Sequence, residues 1–193
     1  MRRHYVQVFL DGDEGTLIDR QTFEDSRLSV GDEVSDEQWE ALRARSAYDR
    51  AHSRALYLLG MRDYSCRELE KKLLPEASPE IAAAVVARLR EVGLLDDENY
   101  ARRLARDFAQ YRQYPRRRIV QELCRRGVER SIAEAAVEDG DSDDVTQAVT
   151  LLRRKYAHKL ADPDDRRRTA AALARRGFSY ATEQMDAPVE EDE

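Results

Sequence analysis

The chain is poor in the residues that most metal, redox and catalytic chemistry uses: its 193 residues include two cysteines and three histidines. Cys66 and Cys124 stand apart with no CxxC spacing. That argues against a dithiol or zinc pattern and predicts small, reduced thiols in a cytoplasmic protein. His4, His52 and His158 have no neighbour that suggests a base or a ligand. The GxxxxGK[ST], GxGxxG, HExxH and GxSxG motifs are all missing, so the chemistry those loops and helices support is not indicated. The opening MRRHYVQVFL carries two arginines but too short an apolar run for a signal peptide, and no segment is apolar enough to span a bilayer. No enzyme, cofactor, metal or membrane association is expected.

Charge is plentiful but uneven. Charged residues are 37% of the chain and hydrophobic ones 41%, a balance that suits a highly solvated surface over a thin core. Leu, Ile and Val still recur at helical spacing through most of the chain, which opposes disorder. The net charge is -6. Residues 1–40 hold 4 basic and 11 acidic side chains, and residues 187–193 hold none and 4, so 41–186 hold 29 basic against 24 acidic. The acidic flanks hide a basic body, and it is the body that faces a polyanion or an acidic partner.

Residues 1–40 read as a small β-rich extension. In YVQVFL, Val6, Val8 and Leu10 fall on one face, DGDEG supplies a turn, and TLID returns as a second strand. SVGDEVS reads as a further turn. So small a β element is expected to pack on the helix that follows. From Asp36 onward the pattern is helical. Leu42, Ala47, Ala51, Ala55, Leu58 and Leu59 mark a long first helix. SCRE, at 65–68, is a capping box, in which Ser65 accepts from an early N–H and Glu68 reaches back. Ser78-Pro79 opens a helix with Ile81, Val85, Val86, Leu89 and Val92 on one face, and Gly93 closes it. Asp96 or Asp97 caps the next, which carries Ala101, Leu104, Ala105 and Phe108.

A repeat runs through this helical body. RRRIVQELCRRG (116–127) lies over RRRTAAALARRG (166–177) with seven of twelve positions the same. Leu104, Phe108 and Pro115 find counterparts in Leu152, Tyr156 and Pro163, and Arg67, Leu69 and Leu73 stand fifty residues before Arg117, Ile119 and Leu123. LREVGL (89–94) imitates the pattern but closes a third helix, so it is capping chemistry only. Each unit reads as a long helix, a short capped helix and a third helix, a period typical of helical arrays. The expectation is an all-α chain of three tandem three-helix repeats forming a curved array behind the N-terminal β element. The repeats are assigned to 41–93, 94–140 and 141–186, with an acidic disordered tail at 187–193.

Two clusters concentrate charge of one sign. DGDSDD (139–144) alternates Asp139, Asp141 and Asp143, but a calcium loop needs Gly where Asp144 stands and Glu where Thr150 stands. Helix capping by Ser142, Asp143 and Asp144 is the simpler account. The stretch from Tyr100 to Arg130 holds ten arginines against Asp107, Glu122 and Glu129. Guanidinium groups suit bidentate contact with phosphate or carboxylate. The candidate contact residues are Arg102, Arg103, Arg106, Arg112, Arg116, Arg117, Arg118, Arg125 and Arg126, with Tyr111 and Tyr114 as candidate exposed aromatics. Similar arginine bands supply Arg153, Arg154, Arg167 and Arg168, which recurrence places along one surface. The alternative is a solvated helix face with Glu122 pairing Arg118 or Arg126.

ALYLLGMRDYSCRELEKKLL, VVARLREVGLLDDENYARRLARDF and RRRIVQELCRRGV, in that order and spacing, resemble the RecX family of RecA regulators. The likeness covers 41–186 and is strongest from Ala55 to Val128; FLDG and LSVGDEVS also resemble an N-terminal extension found in some members. Pro115 departs from the glycine that many relatives have before the central arginine-rich helix. The resemblance implies a crescent of three-helix repeats without enzymatic activity. It implies binding to the RecA–DNA filament, in its helical groove, with inhibition of strand exchange and ATP hydrolysis, and so a part in homologous recombination, DNA repair and the SOS response. A monomer that contacts the filament protein is the first expectation. A sequence-tolerant helical module for single- or double-stranded DNA is the second.

Overall fold

The structure, a computed structural model, describes residues 5–12, 15–138, 148–149, 151–152, 154 and 162–178. Arg153, the DGDSDD cluster and the 187–193 tail lie outside the described residues. The chain divides into two compact units, 1–95 and 96–193.

In the first unit, β1 (Tyr5–Val8) pairs antiparallel with β2 (Thr16–Asp19), Tyr5 opposite Asp19. The expected alternation holds: Val6, Val8 and Leu10 are half-buried while Gln7 and Phe9 are exposed. The extension is not purely β, however. A helix, α1 (Arg20–Ser26), follows β2 directly. Asp19 ends the strand and caps the helix, its Oδ1 accepting from the N–H groups of Gln21 at 3.0 Å and Thr22 at 3.4 Å. The element docks on the next helix, as expected for so small a sheet. Ile18 is buried, the Asp19 N–H donates to Ser46 Oγ at 2.9 Å, and Thr22 Oγ1 donates to Asp49 Oδ2 at 3.0 Å.

Helix α2 (Asp36–Met61) begins with a capping box inside the stretch expected to turn: Ser35 Oγ accepts from the Gln38 N–H, and Gln38 reaches back to the Ser35 N–H. Its buried positions are Leu42, Ser46, Ala51, Ala55 and Leu58. Ser46 rather than Ala47 takes the inward place, because the Asp19 N–H satisfies its hydroxyl. Leu69 and Leu73 of α3 (Cys66–Leu73) and Ala82, Val85, Val86 and Leu89 of α4 (Pro79–Glu91) complete this core. Val92 lies beyond the last turn of α4 and is exposed, not part of the apolar face.

The second unit holds α5 (Asp97–Gln110), α6 (Arg116–Arg125), α7 (Arg130–Glu138), helical residues at 148–149, 151–152 and 154, and α8 (Pro163–Arg175). Asp96, not Asp97, caps α5, accepting from the Asn99 N–H at 2.9 Å. One core gathers Tyr100, Ala101, Ala105, Phe108, Ile119, Leu123, Val128 and Ala133; another gathers Ala148, Leu151, Leu173 and Phe178.

The fifty-residue register is physical. Leu69 and Leu73, Ile119 and Leu123, and Thr169 and Leu173 are all buried. α6 and α8 also end alike: the Val128 N–H donates to the Leu123 carbonyl and the Phe178 N–H to the Leu173 carbonyl, both at 3.1 Å. Gly127 (φ 88°) and Gly177 (φ 100°) supply the left-handed residue this closure needs. α4 ends the same way, with the Leu94 N–H on the Leu89 carbonyl and Gly93 at φ 75°. The third likeness is therefore shared capping on a different helix of its unit.

Candidate functional site

The arginines of the second unit start from helix periodicity. Ile119 and Leu123 point α6 inward, which leaves Arg117, Gln121 and Arg125 outward and puts Arg118 and Arg126 on one flank. On α5, Ala101, Ala105 and Phe108 face inward, with Arg103 and Arg106 exposed and Arg102 at the edge. These arginines occupy more than one face of the three-helix unit rather than a single stripe. Arg117 lines a groove of about 500 Å³ between α6 and α7 with Val120, Gln121, Cys124, Arg130 and Glu134. Arg102 lines a separate groove between α5 and α7.

Some of this charge is compensated internally. Arg102 pairs with Glu98 at 3.8 Å and Arg125 with Glu122 at 2.6 Å. The Glu122 partner is thus the residue three positions on, not Arg118 or Arg126. Arg130 pairs with Glu134 at 2.7 Å, and its proton is held more tightly than usual, first by that hydrogen bond and then by the carboxylate charge. Arg116 is exposed at the first turn of α6. Arg106, Arg112 and Arg117 are exposed and have no ion-pair partner among the described residues. In the third repeat Arg154, Arg167 and Arg168 are exposed, and Arg168 pairs with Asp165 at 3.4 Å.

The aromatics behave differently from one another. Tyr111 is 76% exposed. Tyr114 is half-buried and tilts against Phe108, ring centroids 5.6 Å apart. Gln113 adopts φ 52°, a left-handed bend after which the Tyr114 N–H reaches back to the Phe108 carbonyl at 3.1 Å. Arg118 lies over the Tyr114 ring at 4.0 Å and Arg126 lies 5.8 Å from the Phe108 centroid. A Cβ on Gly177 would sit 3.0 Å from the Pro115 ring and 3.5 Å from the Arg118 Cβ.

A matching cluster in the first unit escaped the sequence reading. Arg62 lies over the Tyr64 ring at 3.7 Å and grips Glu68 through two hydrogen bonds of 2.7 and 3.1 Å. Ser65 Oγ accepts from the Glu68 N–H, the expected half of the capping box, while the Glu68 carboxylate is engaged by Arg62. The available signal was the register itself: Arg62, Tyr64 and Glu68 stand fifty residues before Arg112, Tyr114 and Arg118.

Comparison with known proteins agrees with this architecture. Models of the first, second and third three-helix domains of RecX match residues 51–89, 96–137 and 141–182. The regulatory protein RecX of Mycolicibacterium vanbaalenii is 36% identical over 141 residues, 68% of this chain and 77% of its own. That of Trichlorobacter lovleyi is 37% identical over 130 residues, 64% of this chain and 84% of its own. A crystal structure of regulatory protein RecX superposes with a TM-score of 0.72 at 22% identity, covering 94% of this chain and 93% of that one. RecX from Lactobacillus salivarius gives 0.64 at 22% identity, over 72% and 94%. Among the described residues no helix is long and apolar enough to cross a membrane. Three family domains matched in order, on a helical fold shared with solved RecX structures, make this chain a member of the RecX family of regulatory proteins.

Proposed function

We propose that the chain is a non-enzymatic regulator of the RecA recombinase, a cytoplasmic monomer that binds the RecA–DNA filament and suppresses its ATPase and strand exchange. On this reading it acts in homologous recombination, DNA repair and the SOS response. Family membership supports the regulatory role. The observation that carries the contact surface is the set of exposed guanidinium groups in the second repeat with no ion-pair partner among the described residues, Arg106, Arg112 and Arg117. Desolvated arginines make strong contacts with carboxylates and phosphates, and several spread over a repeat scaffold let weak contacts with neighbouring protomers add. Arg102, Arg103, Arg116, Arg118, Arg125, Arg126, Arg153, Arg154, Arg167 and Arg168 are further proposed contacts, on more than one face, with Tyr111 as the exposed aromatic. The repeats 41–93, 94–140 and 141–186 are its units.

The test is an ATPase titration of RecA on single-stranded DNA. Turnover falls at substoichiometric amounts of this protein if it acts along the filament, and unchanged turnover at saturation removes the reading. The second reading is a sequence-tolerant DNA-binding module, favoured by the 76% exposure of Tyr111 beside these arginines, an arrangement suited to base stacking. Binding to bare DNA that is as tight as binding to the filament, and that falls steeply with salt, would select it.

A further inference from the structure

We infer that Arg118, carried on the face of the Tyr114 ring, forms a cradle that receives a carboxylate side chain of the protein partner. The inference rests on the RecA reading for the identity of the partner, but not for the chemistry of the site.

The argument comes from comparing the repeats at one register. In the first repeat the tyrosine before the second helix, Tyr64, carries the guanidinium of Arg62 on its face at 3.7 Å. Glu68 meets the hydrogen-bonding edge of that guanidinium at 2.7 and 3.1 Å. Fifty residues on, the arginine and the tyrosine persist as Arg112 and Tyr114, but Arg118 stands where the acid was. The acid of the internal pair is replaced by an arginine, and it is Arg118 that lies over the ring. Fifty residues further, Arg168 is compensated by Asp165 at 3.4 Å. Among the described residues the second repeat alone leaves this position without a carboxylate.

The geometry favours a carboxylate. The Tyr114 ring carries the Arg118 guanidinium 4.0 Å from its centroid, and no carboxylate among the described residues pairs with it. A preordered fork of this kind loses little entropy on binding and matches a planar carboxylate through paired hydrogen bonds. The Arg62–Glu68 contact is that arrangement satisfied from within the chain. Arg90, exposed on α4 and outside the proposed surface, has no ring beneath it among the described residues, which makes it a matched control.

Two measurements on the full-length protein test this. The first titrates a capped tetraglutamate peptide, and separately an oligothymidylate, while following the arginine Nε–H signals by NMR. The peptide is expected to shift Arg118 saturably and well beyond Arg90; an Arg118 response no larger than that of Arg90 overturns the cradle. If the oligothymidylate alone selects Arg118, the site belongs to phosphate and the carboxylate assignment fails. The second measures kinetics on RecA filaments. Arg118→Gln and Tyr114→Leu are expected to speed dissociation about tenfold or more with little change in association, whereas Tyr114→Phe keeps the ring and restores wild-type behaviour. Arg118→Glu rebuilds the first repeat's pairing, so it should keep the melting temperature and lose filament binding. Dissociation of Arg118→Gln that matches Arg90→Gln overturns the cradle while leaving the RecA reading intact. If the wild-type protein binds no filament, the RecA reading falls and the peptide titration alone decides the cradle.

Discussion

At the scale of single residues, burial and conformation separate structure from surface. Leu123 has no exposed area and sits between Phe108, Ile119 and Val128. Leu123→Ala is expected to destabilise the protein by about 2–5 kcal/mol, from lost transfer energy plus the cavity left behind. Chemical denaturation measures it, and a loss below about 1 kcal/mol would mean that the site refills. Gly177 combines a left-handed backbone with contact against Pro115, so a methyl group there meets both conformational strain and a neighbour at 3.0 Å. Gly93→Ala carries only the first of these costs at a helix end closed in the same way, because nothing lies within 4 Å of a Cβ there. Thermal melts should therefore rank Gly177→Ala as less stable than Gly93→Ala.

At the scale of elements, capping chemistry was the most legible part of the sequence. Ser65, Ser78 and Asp96 each accept from the N–H three residues on, as the local pattern demands. The repeat register was legible too, because the inward leucine positions are fixed by helix period and the glycine ends by backbone handedness. Helix α1 was not, since its seven residues bury only Thr22 and give no apolar period to read. The Ser35–Gln38 box was hidden by the turn-like residues before it. The partner of Glu122 depended on rotamer choice between the third and fourth neighbour, which spacing leaves open. Nor does composition disclose which arginines stack on rings: Arg118 and Arg126 differ from Arg117 and Arg125 only by their flank of α6. Ser46→Ala tests how the N-terminal element is held, because it strands the Asp19 N–H at the junction of β2 and α1. A loss of about 1–3 kcal/mol is expected if that donor stays buried. Hydrogen exchange at Asp19 should quicken more than exchange at Leu69.

At the scale of the whole molecule, a net charge of -6 coexists with exposed arginine clusters. Distant charges are screened over about 8 Å at physiological ionic strength, so a docking partner feels the local field of the second repeat rather than the molecular total. Reversing Arg116, Arg117 and Arg118 together should weaken filament binding and flatten its salt dependence while the chain stays folded. Circular dichroism checks folding and stopped-flow mixing checks the association rate; an unaltered rate would mark the cluster as solvation only. The acidic residues 11 to 40 and 190 to 193 set solubility and disfavour unspecific adhesion to polyanions.

The meeting of Gly177 with Pro115 has a practical consequence for dissecting this protein. Pro115 is fully enclosed, and part of its enclosure is main chain contributed from sixty-two positions downstream. A fragment cut after position 140 would keep every arginine of the central repeat yet strip a wall from the turn that aims Arg118. Weak activity in such a fragment would report a loosened scaffold, not a dispensable surface.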